Sequence, residues 1–80
     1  MPEIDIKNKI KGLCATLLKV DPTLLKDSAT PNDIESWDSL NHLSIIATLE
    51  SEFEIEIDPE EIVASRETMG SIISMVLKKL

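Results

Sequence analysis

Apolar residues recur every three or four positions along three stretches of this 80-residue chain, and that rhythm restricts its fold more than any other feature. In the first stretch Ile6, Ile10, Leu13 and Leu17 carry the spacing, with Cys14 and Leu18 beside them, which predicts a helix over about residues 3–19. In the second, Leu40, Leu43, Ile46, Leu49 and Phe53 read as the inner stripe of a helix over residues 39–53, roughly 22 Å long at helical rise. The last begins near Thr68 and carries Met69, Ile72, Ile73, Val76, Leu77 and Leu80, with Lys78 and Lys79 where the negative end of a helix favours cations.

Local signals add a fourth, shorter helix. Asp58-Pro59-Glu60-Glu61 combines an N-cap acid, proline at the first helical position, acids in the first turn and a glutamate placed for a capping box. The helix predicted there spans about residues 59–65, with Ile62 and Val63 as its apolar side over a groove above the second helix. Glu54-Ile55-Glu56-Ile57 alternates like a strand, but no second strand candidate exists, so an extended connector anchored on one side is expected. The fold class is therefore all-α: a small four-helix bundle of three longer helices and a short third one, forming a single domain over residues 1–80.

A long loop joins the first two helices. Asp21 is placed to cap a short turn with Pro22 at its first position, putting Leu24 and Leu25 against the core. Thr30-Pro31-Asn32-Asp33 is strong turn chemistry, and Ile34 and Trp37 are expected to pin the far end. Gly12 inside the first helix weakens it by roughly 1 kcal/mol relative to alanine, so packing must hold that helix. Cys14 shares the apolar stripe and reads as a buried structural thiol, while Met69 and Met75 read as adaptable core filler.

Charge narrows the function. The net charge is −7, which argues against nucleic acid and anionic lipid as partners. Residues 21–61 hold twelve acids against Lys26 alone, whereas both flanking stretches are slightly basic. A negative field centred there suits docking to basic patches on partner proteins, and equally a solvated acidic face. No apolar stretch is long enough to cross a bilayer, and Met1-Pro2-Glu3-Ile4-Asp5 lacks the basic head and apolar run of a signal peptide, so a cytoplasmic address is expected. A single cysteine excludes an intrachain disulfide and a cysteine metal cluster, and no stretch has the ligand pattern of a calcium loop, so no metal is expected.

The most informative residues are Ser36-Trp37-Asp38-Ser39-Leu40-Asn41-His42-Leu43. Asp38 and Ser39 are both good N-cap residues, placing Ser39 at a helix tip. Backbone N–H groups without intrahelical partners and the positive end of the helix dipole would stabilise a phosphate esterified to that hydroxyl. Trp37 reads chiefly as a lid on the bundle, with a partner contact as the alternative. Asp38, Ser39 and His42 are also the ingredients of a hydrolytic triad, but all three project from one helical turn, no oxyanion hole is implied, and a bundle this small leaves little room for a substrate pocket. His42 reads instead as a surface residue near the cap.

Asp38-Ser39-Leu40, followed by Leu49-Glu50-Ser51-Glu52-Phe53-Glu54-Ile55-Glu56-Ile57 and by Thr68-Met69-Gly70-Ser71-Ile72-Ile73, resembles the acyl carrier proteins over nearly the whole chain. The resemblance implies a protein without catalytic activity, whose Ser39 receives 4'-phosphopantetheine from coenzyme A and whose Asp38 assists that modification. It implies a monomer served by a phosphopantetheinyl transferase and by acyl-loading and acyl-processing enzymes with basic docking patches. Trp37, Leu40, Glu50, Glu52 and Glu56 are the expected partner-binding residues. Fatty-acid carriers often place acids soon after the serine, where this chain has Asn41, His42 and Ser44; Trp-Asp-Ser-Leu looks more like specialised stand-alone carriers of secondary or surface-polymer pathways. An aminoacyl or peptidyl carrier, and an acidic helical interaction module without a prosthetic group, are the alternatives.

Overall fold

Helix α1 (Glu3–Leu18) starts directly after Pro2, whose carbonyl accepts from the Asp5 and Ile6 amides, in a computed structural model describing residues 2–80. It turns Ile6, Ile10, Cys14 and Leu18 inward and packs on two later helices, α2 (Ser39–Phe53) and the last, Met69–Lys79. Between those lies the short α3 (Pro59–Ala64), so the last helix is α4. The four helices fall where the capping and spacing signals put them, and no strand occurs among the described residues. The radius of gyration is 11.3 Å, close to the roughly 12 Å of a fully packed chain of this length. No helix among the described residues is long and apolar enough to cross a membrane.

The loop between α1 and α2 is structured throughout. Asp21 Oδ1 accepts from the Thr23 amide at 2.9 Å and caps a 3-10 turn at Pro22–Leu24. Leu25, Ala29, Ile34 and Trp37 are buried in the common core, whereas Leu24, expected beside Leu25, is exposed because its turn lies outside the bundle. Asp27 pairs with Lys7 and Lys11 of α1 at 2.6 and 2.8 Å, and these two cations hold its carboxyl below the usual carboxylate range. The other side of the loop is bound by backbone: the Met69 and Gly70 amides, first in α4, donate to Ala29 O at 2.9 Å and to Asp27 O at 2.8 Å. A Cβ on Gly70 would meet Asp27 O at 3.1 Å, so glycine permits this approach.

The second helix departs from expectation in which face it buries. Its inner side is His42, Ile45, Ile46 and Leu49, while Leu40 and Leu43 are 73 % and 53 % exposed. At about 100° per residue Leu40 lies on the opposite side of the helix from Leu49, where no other helix covers it. After α2, Glu54 takes a left-handed conformation (φ 53°), and the connector runs back with Ile57 buried and its amide donating to Glu50 Oε2 at 3.0 Å. A capping box between Asp58 and Glu61 then opens α3.

Candidate functional site

Asp38 sets the geometry of the site. Its backbone is extended, and its carboxylate Oδ1 accepts from the Asn41 amide at 2.8 Å, so α2 begins at the next residue. Ser39 occupies the first helical position and is exposed. The amides of Ser39 and Leu40 have no hydrogen-bond partner among the described residues, leaving two donors and the positive helix end beside the hydroxyl. The junction is buttressed from behind: Asn41 Nδ2 donates to Ser36 O at 2.7 Å, and Ser36 Oγ donates to Leu18 O at 2.7 Å.

Beneath Ser39 lies a buried polar pair. Trp37 is 1 % exposed, and its indole N–H donates to His42 Nδ1 at 3.1 Å. A nitrogen that accepts is unprotonated, so the remaining proton of the neutral imidazole is on Nε2, 3.0 Å from Ile62 O and 3.3 Å from Ser65 Oγ. His42 is 2 % exposed; this corrects its reading as a surface residue, and the reason is that its two ring nitrogens find partners on two other segments. Burial pushes its pKa below the ordinary value, with the Ile62 carbonyl opposing and the Arg66 cation adding to the fall. Trp37 is accordingly the lid and offers no side-chain surface to a partner. The triad alternative also dissolves, since His42 is committed to Trp37 and Ile62, and Asp38 Oδ1 to a backbone amide.

Beside Ser39 a groove of about 700 Å³ opens between three walls. The loop contributes Thr30 and Asn32, α2 contributes Ser39 and Leu43, and α3 with the turn after it contributes Val63 and Arg66. Val63 is 77 % exposed and Ile62 packs partly against the core, and both line this groove, the side expected for the apolar face of α3. The loop wall and Arg66 carry no sequence signal beyond turn chemistry and a lone positive charge; they reach Ser39 only through the fold. Arg66 Nε is buried and has no hydrogen-bond partner among the described residues, an arrangement that ordinarily costs about 1–3 kcal/mol.

The remaining expected surface residues are spread out. Leu40 stands free on the outer face of α2, and Glu56 is exposed on the connector. Glu52 pairs with Lys9 at 3.2 Å, and that ammonium also sits 5.4 Å from the Phe53 ring centroid. Glu50 is turned back to hold the Ile57 amide. Cys14 is buried in the core, which pushes its thiol up to about 12, so it offers no second nucleophile.

Comparison with known proteins agrees with this geometry. Residues 8–76 match the family described as "Phosphopantetheine attachment site". The acyl carrier protein of Thermosynechococcus vestitus is 30% identical over 80 residues, covering 100% of this chain and 98% of the relative. That of Thermotoga maritima is 30% identical over 76 residues, covering 95% and 93%, and that of Chlorobium phaeovibrioides is 29% identical over 79 residues, covering 99% and 100%. By matches that span nearly every residue of both partners, the chain belongs to the acyl carrier protein family, whose members are carriers rather than catalysts and hold 4'-phosphopantetheine covalently.

Proposed function

We propose that Ser39 is the attachment point of the phosphopantetheine arm and that residues 1–80 act as one monomeric carrier domain, presenting acyl cargo to partner enzymes. The observation that carries this reading is an exposed hydroxyl at the first position of α2, beside two unpartnered backbone amides and the mouth of a 700 Å³ groove. These residues fit the group: Ser39 supplies the ester oxygen, the Ser39 and Leu40 amides and the helix dipole favour the phosphate's charge, and the groove has room for part of a flexible chain. When attached, the arm supplies a terminal thiol that holds an acyl group as a thioester. Asp38 keeps Ser39 at the helix tip by capping the turn, which is its share in the modification.

Docking is assigned to the exposed side of α2 and the connector that follows it. Leu40 and Leu43 are apolar, exposed and within one turn of Ser39, and the acidic Glu52 and Glu56 lie further along α2 and its connector. A phosphopantetheinyl transferase and acyl-loading or acyl-processing enzymes with basic patches would meet an apolar contact beside Ser39 and negative charge farther along the helix and its connector. Tethering then raises the effective concentration of cargo at each enzyme visited.

The test is the intact mass after treatment with coenzyme A and a broad-specificity phosphopantetheinyl transferase. The native chain gains the mass of the arm and Ser39→Ala gains nothing. No gain, or a gain that survives Ser39→Ala, overturns the assignment.

A further inference from the structure

We propose that Arg66 is an anion receptor in the groove beside Ser39, taking an anionic oxygen of whatever that serine carries, either the phosphodiester of the arm or a carboxylate on its cargo. The inference rests on Ser39 being the attachment point, and it assigns a specificity role to a residue outside α2.

Three observations converge on Arg66. It lines the same groove as Ser39, and it is the one cation there. Its Nε is buried without a partner, and among the described residues it forms no ion pair, although the chain has fifteen acids and a net charge of −7. All four ion pairs of the described residues belong to lysines. Glu67, the other charged residue of the groove, is exposed and does not pair with it. A half-buried arginine with no ion-pair partner and an unpartnered Nε, in a predominantly acidic protein, is matched to a ligand that brings its own charge.

The chemistry of the side chain identifies the ligand class. Arginine presents a planar fork of N–H donors that meets phosphate or carboxylate oxygens in pairs, and such charge-assisted bonds are stronger than neutral ones. Arg66 shares the lining of this groove with His42 and Ser39, and its charge adds to the lowering of the His42 pKa that burial begins. An uncharged acyl chain would lie against Leu43 and Val63 and leave Arg66 as it is.

The test uses the whole chain in four forms, each verified by intact mass: unmodified, carrying the arm with a free thiol, and carrying the arm loaded with a succinyl or a butyryl group. The readings are the Arg66 Nε–H signal in ¹⁵N–¹H spectra and the unfolding midpoint, in the native chain and in Arg66→Gln. A downfield shift in all three modified forms, with the midpoint gained on modification lost in Arg66→Gln, supports the inference and selects the phosphodiester. A shift and a midpoint gain confined to the succinyl form support it and select a cargo carboxylate. Unmodified Arg66→Gln is expected to melt no lower than native, whereas a purely structural arginine would lower it. A signal indifferent to all four forms overturns the inference while leaving Ser39 modified; a failure to gain mass at all overturns the attachment, and the inference with it.

Discussion

Helices α2 and α4 carry the same three-and-four spacing of apolar residues and use it in opposite ways. In α4, Met69, Ile72, Ile73 and Val76 all face the core, and the first two amides are filled by carbonyls of the loop. In α2 only part of the apolar set is buried, Leu40 and Leu43 face outward, and the first two amides have no partner. A helix whose apolar surface and terminal donors are all consumed is scaffold. One that leaves both open at the same end keeps them for binding, and Ser39, the proposed attachment point, sits at that end.

The largest expected effect is in the scaffold helix: Ile72→Ala empties a fully buried position and should cost about 2–5 kcal/mol by chemical denaturation. A cost near zero would remove α4 from the scaffold side of the comparison. Next is the buried pair beneath Ser39. His42→Phe keeps the bulk but leaves the Trp37 N–H and Ile62 O without that partner, for a loss of about 1–3 kcal/mol.

The same pair predicts a pH dependence. The native pKa of His42 lies below its ordinary value of 6.5, so the unfolded chain binds the proton more readily. Stability is therefore full above 6.5 and falls as pH drops through that value, levelling off only below the lowered native pKa. Trp37, the sole tryptophan, reports the step by fluorescence during unfolding at each pH. His42→Phe should abolish it, leaving the separate loss below about 4.5 from Asp27 and Glu61, whose native pKa values are also lowered.

Smaller effects sharpen the contrast. Asp38→Ala removes the cap of α2 and should cost about 1 kcal/mol in thermal or denaturant unfolding, while slowing modification of Ser39. Leu40→Ala should change stability by less than about 0.5 kcal/mol, yet weaken association with a modifying or loading enzyme in a binding titration. If Leu40→Ala destabilised the chain as much as Ile72→Ala, the two helices would not differ in kind.

The helices were legible because their signals are short-range: Asp58-Pro59-Glu60-Glu61 marks a helix start and the apolar spacing begins near Thr68, and the structure caps α3 and α4 there. The direction α2 faces was not legible, for a geometric reason. Steps of three residues turn about 300°, so Leu40, Leu43, Ile46 and Leu49 drift by roughly 60° each time and wind halfway around the helix. Such a series looks like a stripe on paper and joins two faces in space. His42 was misplaced because a histidine's partners, here Trp37 and the Ile62 carbonyl, come from segments whose approach is a property of the fold. The hydroxyl at the helix tip needed only Asp38 and the residues after it. The groove needed three separate segments to meet, and no stretch of sequence contains it.

The stitching of the loop onto α4 has a dynamic corollary. With Ala29 O and Asp27 O held by the Met69 and Gly70 amides, the loop that walls the groove beside Ser39 cannot lift away from α4 without baring those two protons to solvent. Their deuterium uptake is thus a clock for that loop's opening, and anything that pries it from α4 will set the clock running faster.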